Sequence, residues 1–154
     1  MVYVLCLSLV VGVLVLTALP AASGIEAETV DINPKTLNLK SNGTWITVYI
    51  ELPEGYDVED INVSTVLLEN IVPAETNPKY GFAKNPVIKD RDGDGIPELM
   101  VKFDRQAVID CILPKLNHMA PPPAKNYVDL KITGKLIDGT EFYGIGTIRV
   151  IYKD

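Results

Sequence analysis

The chain has 154 residues and a formal net charge of −6, from 20 acidic against 14 basic side chains. That length supports one domain with a sizeable core, and the acidic balance argues against nucleic acid as a partner. Two cysteines and one histidine supply neither a zinc spacing nor a disulfide framework.

Residues 1–24 carry no charged side chain and consist mostly of Leu and Val, ending in Ala18-Leu19-Pro20-Ala21-Ala22-Ser23-Gly24. Small residues after a proline that closes an apolar run predict a secretory signal peptide cleaved near Ser23 or Gly24. The mature domain would then be 25–154. No Lys or Arg precedes the apolar run, which departs from the usual signal pattern, and the run is also long enough to span a bilayer. A retained helix, anchoring the protein in a membrane or building a pilin-like extracellular filament, therefore stays open. Export to the cell surface or beyond is expected either way. Cys6 follows Leu5 rather than a small residue, so it does not read as a lipoprotein cysteine. Cleavage would leave Cys111 with no partner for a disulfide.

Beyond Glu26 the chain reads as short strands parted by turn signals. Val30 to Leu39 predicts an opening edge strand broken at Asn33-Pro34. Asn42-Gly43 predicts a hairpin turn into Trp45–Leu52, where Ile46, Val48, Ile50 and Leu52 share one face. Trp45, Thr47, Tyr49 and Glu51 share the other. Ile61 to Leu68 is strand-like. Residues 73–86, with three prolines and two Asn-Pro steps, predict an ordered excursion on which Tyr80 and Phe82 pack back.

The most informative stretch is Asp90-Arg91-Asp92-Gly93-Asp94-Gly95-Ile96-Pro97-Glu98. Alternation aims Asp90, Asp92 and Asp94 at a common centre, and Gly95 permits the sharp turn. The Ile96 carbonyl adds a fourth oxygen, and the Glu98 carboxylate closes the shell directly or through water. Carboxylates this close repel one another strongly without a cation. The pattern therefore predicts Ca2+ held by Asp90, Asp92, Asp94, Ile96 and Glu98. A solvated acidic turn is the plainer alternative, since Asp-Gly pairs are common turn formers. The site differs from an EF-hand in having Val101 at the twelfth position and strands on both flanks.

Asp104 is placed as the N-cap of a helix over Arg105–Leu113, with Ala107, Val108, Cys111 and Ile112 on one face and Pro114 ending or bending it. Cys111 reads as a small core residue; pairing it with His118 as a nucleophile has little to support it. Residues 117–125 form a stiff, proline-rich connection. Val128, Leu130, Ile132 and Leu136 alternate along a strand, Asp138-Gly139 turns it, and Ile145 to Tyr152 completes the set. The sum is an all-β protein, an immunoglobulin-like β-sandwich of about seven or eight strands with one short helix. The Cys…Trp…Cys hallmark of antibody domains is missing, so the likeness is one of architecture.

The acidic loop resembles the D-x-D-x-D-G-x-x-(D/E) loops of thrombospondin type 3, dockerin and integrin-type repeats. Together with Leu37–Ser41, Trp45–Gly55 and Leu99–Val108, it resembles a β-sandwich module that recurs in secreted archaeal and bacterial proteins. The resemblance covers roughly residues 30–151 and implies an extracellular or cell-surface module without a defined activity. Glu98 stands where the related loops usually carry Asp. No nucleophile elbow, phosphate loop or histidine-centred constellation is present, so no enzyme is expected. The expected role is structural or adhesive, with a surface protein, a glycan or a second copy of the chain as partner. Trp45 and Tyr49 would be the sugar-stacking platform if the chain is instead a carbohydrate-binding module. Asn42-Gly43-Thr44 and Asn62-Val63-Ser64 are N-glycosylation sequons.

Overall fold

The computed structural model describes residues 24–116 and 126–152. The expected leader through Ser23, the proline-rich connection and His118 lie outside the described residues. Among those described, no helix is long and apolar enough to cross a membrane.

Two sheets face each other across one core. Strands β2 (Thr29–Asn33), β4 (Trp45–Glu51), β8 (Glu98–Asp104) and β7 (Val87–Lys89) form one sheet in the order β2-β4-β8-β7, all antiparallel. The other sheet runs β1-β10-β9-β5-β6, from β1 (Ile25–Glu26), β10 (Glu141–Ile151), β9 (Asn126–Leu136), β5 (Ile61–Leu68) and β6 (Val72–Pro73). Strand β3 (Thr36–Asn38) joins it parallel to the far end of β10. This pairing pattern, with a parallel N-terminal strand closing on the last strand, is that of an immunoglobulin-like sandwich. Ten strands are present among the described residues rather than seven or eight. The additional ones are pieces of two or three residues, too short to show a period in the sequence.

Alternation explains the core. Ile46, Val48 and Ile50 of β4, Leu99, Val101 and Phe103 of β8, and Val128, Leu130 and Ile132 of β9 are all buried. They meet between the sheets as one apolar cluster. The helix α2 (Arg105–Leu116) adds Val108, Ile109 and Ile112. Asp104 caps it as expected, its Oδ1 accepting the Ala107 N–H at 2.9 Å. Pro114 lies inside the helix, which runs three residues past the expected end at Leu113. Pro114 has no N–H to give the Asp110 carbonyl, so the helix continues past it without that bond. A one-turn helix α1 (Gly81–Lys84) lies in the excursion before β7.

Two local expectations change. Asn33-Pro34, a cis peptide, separates strands that belong to different sheets, so the chain changes sheet there. Asn42-Gly43 does not turn a hairpin, because β3 pairs with β10 and not with β4. It lies on the crossing back to the first sheet. There buried Arg105 donates to the Asn38 carbonyl at 2.6 Å and to Ser41 Oγ at 2.5 Å, fixing the crossing by side-chain bonds in place of a ladder.

Candidate metal centre

The acidic loop spans residues 90–97, between β7 and β8, whose last rung pairs Lys89 with Glu98. It is a hairpin loop, and short local bonds shape it. Asp90 accepts the Gly93 N–H at 2.6 Å through Oδ1 and the Gly95 N–H at 2.9 Å through Oδ2. Asp92 Oδ1 accepts from the Asp94 N–H at 3.3 Å, and Asp94 Oδ1 accepts from the Ile96 N–H at 2.8 Å. Gly93 and Gly95 have φ of +85° and +95°, the left-handed region that side chains disfavour. The loop therefore closes only with glycine at these places.

Sheet register brings in a residue that the sequence motif does not contain. Ile50 of β4 pairs with Leu99 of β8, so Glu51 stands next to Glu98 where the loop rejoins the sheet. Glu51, Asp92 and Asp94 each offer a carboxylate oxygen, and the three oxygens lie within 4.8 Å of one another. That is the spacing of oxygens sharing one cation at 2.3–2.6 Å, so the cluster could hold a metal ion. Asp92 and Asp94 are exposed, whereas Glu51 is only 2% exposed.

The surroundings of Glu51 are unfavourable to its charge. No hydrogen bond or cation reaches its carboxylate among the described residues. Burial, first, and then the negative charges of Asp94, Asp92, Glu98 and Glu28 push its pKa above the ordinary value. A buried carboxylate facing other carboxylates is costly unless a cation joins them. The residues present fit such an ion.

The five residues expected to hold the metal are thus divided. Asp92 and Asp94 come together with Glu51. Both oxygens of Asp90 are taken by loop amides, and Glu98 Oε2 accepts the Arg91 N–H at 2.7 Å. For Ile96, the described contact is its N–H to Asp94. Arg91 anchors the loop through its side chain as well: it pairs with Asp31 on β2, and its Nε lies 3.8 Å from Glu98 Oε1.

The same outer face carries the aromatic residues. Trp45 meets Tyr80 and Phe82 in T-shaped contacts with centroids at 5.0 and 5.5 Å, so the excursion packs back as expected. Tyr49 is capped by Arg91. Each ring considered for sugar stacking is therefore in contact with another part of the chain. Both sequon asparagines are exposed, and Asn62 Oδ1 accepts from the Ser64 hydroxyl at 2.7 Å. Cys111 is half-buried, and burial raises its thiol pKa, the opposite of what a nucleophile needs.

In comparisons with known proteins, no family model, curated protein or solved structure matches the chain.

Proposed function

We propose that the chain is a calcium-stabilised β-sandwich that acts outside the cell or at its surface as a structural or adhesive module. The observation that carries this reading is Glu51, a buried carboxylate without a partner, whose nearest charges are the two aspartates of the loop. An all-oxygen, all-carboxylate site suits a hard cation. A loop with several exposed acids favours Ca2+ over Mg2+, which demands near-ideal octahedral geometry. The ion would tie the β7–β8 hairpin to the end of β4 and make stability depend on metal. Millimolar calcium outside cells matches the about 10⁻⁴–10⁻³ M affinities of extracellular modules. Residues 1–24 support export by composition.

Thermal unfolding of the full chain in calcium and in chelator tests the site, beside the Asp92→Ala/Asp94→Ala variant. A calcium-dependent rise in midpoint that disappears in the variant is the expected result. An unchanged midpoint at millimolar calcium would reduce the loop to an acidic turn. Sequencing the N-terminus of native protein tests export separately, since a chain beginning near Gly24 has been processed.

A further inference from the structure

The opposite face of the sandwich contains a concavity that the calcium reading leaves without a role. On β5 and β9, paired residues jump from Asn62 and Lys135 to Leu67 and Thr133, so β5 spends five residues where β9 spends two. The surplus is a bulge. Thr65 holds it open, its hydroxyl accepting the Lys135 N–H at 2.8 Å and donating to the Asn62 carbonyl at 2.7 Å. Beside the bulge, on the outward face of the sheet, lies a groove of about 600 Å³. That volume is within the range of about 300–1,000 Å³ typical of small-ligand sites.

Its lining is chemically specific. Leu67 and the ring of Tyr143 supply apolar surface, and hydroxyls and an amide come from Thr65, Thr133 and Asn70. Asn70 Oδ1 accepts from the Thr133 hydroxyl at 3.0 Å, which leaves its NH₂ donors free. Lys135 is paired with Glu141 at 2.9 Å. Lys131 has no carboxylate partner among the described residues, and its ammonium lies 5.5 Å from the Tyr143 ring centre. Two lysines and one glutamate line the groove, and at its rim Glu26 Oε2 accepts from the Tyr143 hydroxyl at 3.4 Å. An ammonium without a carboxylate partner and free amide donors call for a ligand with a carboxylate and hydroxyls.

We propose that this groove binds a carboxylated oligosaccharide, with Lys131 taking the carboxylate and Asn70 a hydroxyl. The glycan contact then belongs to the sheet opposite Trp45 and Tyr49, and it does not require the metal.

Calorimetric titration of the full chain with trigalacturonate, in chelator so that calcium carries none of the signal, tests this. Its methyl ester serves as the uncharged analogue. Saturable binding is expected, weakened at least fivefold by esterification and by Lys131→Gln or Asn70→Ala, and unchanged by Lys102→Gln on the other sheet. Matching unfolding midpoints will show that the variants fold. The proposal is overturned by absence of binding at millimolar sugar, by equal binding of the ester, or by full binding in Lys131→Gln. It also fails if Lys102→Gln weakens binding equally, since bulk charge would then explain the attraction. Metal-dependent stability is untouched by any of these outcomes.

Discussion

The guanidinium carbon of Arg91 lies 4.1 Å from the centre of the Tyr49 ring, joining the second residue of the acidic loop to the middle of β4. The same guanidinium pairs with Asp31 on β2 and approaches Glu98 on β8. One side chain thus ties the loop to three strands. This prevents Asp92 and Asp94 from drifting away from Glu51, although Arg91 is itself no ligand. It also places a positive charge beside an acidic cluster, so replacing Arg91 would change electrostatics and anchoring together.

Tyr49 separates the two effects. Tyr49→Leu removes the ring under the guanidinium and leaves every charge in place. Loss of the cation–π contact costs about 0.5–1 kcal/mol at a half-exposed site, equivalent to roughly two- to fivefold in affinity if it acts through loop order. Calcium titration should show that weakening for Tyr49→Leu and none for Tyr49→Phe. Equal affinity in all three proteins would mean that the loop holds its shape without this anchor.

Glu51 makes metal-free stability depend on pH. Its pKa in the fold is raised, chiefly by burial and then by the neighbouring acids. Between the ordinary carboxylate value and the raised one, the folded chain keeps a proton that the unfolded chain has released. Stability therefore falls as pH rises through that interval and levels off above it. Glu51→Gln removes the charge and should raise the midpoint in chelator at neutral pH, flatten this part of the profile, and shrink the calcium-induced rise. Superimposable pH profiles for the variant and the parent would remove Glu51 from the account.

These residues show what the sequence reveals and what it withholds. Three aspartates at alternate positions followed by glycine are a local pattern, so the loop was legible. The inward face of β4 was legible too, because a strand buried on one face repeats every two residues. Glu51 was visible only as the last polar residue of that strand. Its role depends on the β4–β8 register, which pairs Ile50 with Leu99 and follows from long-range packing. Asn42-Gly43 misled for a related reason. The dipeptide favours a turn, but a hairpin also needs flanking strands that pair, and β3 has its partner in β10. The bulge on β5 left no trace at all, since Thr65 reads like any strand threonine.

The excursion between β6 and β7 is held by aromatic contacts. Phe82 stacks on Tyr80 with centroids 5.5 Å apart and meets Trp45 edge-on, while the Lys102 ammonium lies 4.7 Å from its ring centre. Each aromatic pair contributes about 0.5–1.5 kcal/mol beyond burial. Phe82→Ala should release the segment locally, which limited proteolysis would detect as faster cutting within 75–86 while the β9–β10 hairpin stays protected. Uniform loss of protection would show instead that the excursion unfolds together with the whole sandwich.

Packing is tight where β2 crosses β10. A Cβ on Gly146 would lie 2.6 Å from Ile32 Cδ1 and 2.9 Å from the Val30 carbonyl oxygen, and one on Gly144 would lie 2.4 Å from Val30 Cγ2. Glycine is required here by space, because β2 side chains fill the volume its neighbours would occupy. Gly146→Ala should therefore destabilise the fold by about 1–3 kcal/mol through overpacking. Ile32→Val deletes Cδ1 but leaves Cγ1, which would lie 2.7 Å from the new Cβ, and alone costs about 0.5–1.5 kcal/mol. Combined, the two should cost less than their sum, since the smaller side chain makes room for the new methyl. The relief stays partial because Ile32 Cγ1 remains close and the Val30 carbonyl is backbone. Urea unfolding of the four proteins measures the coupling. Strict additivity would mean that the strands separate to accept the methyl and that the clash at Ile32 is not what requires glycine at position 146.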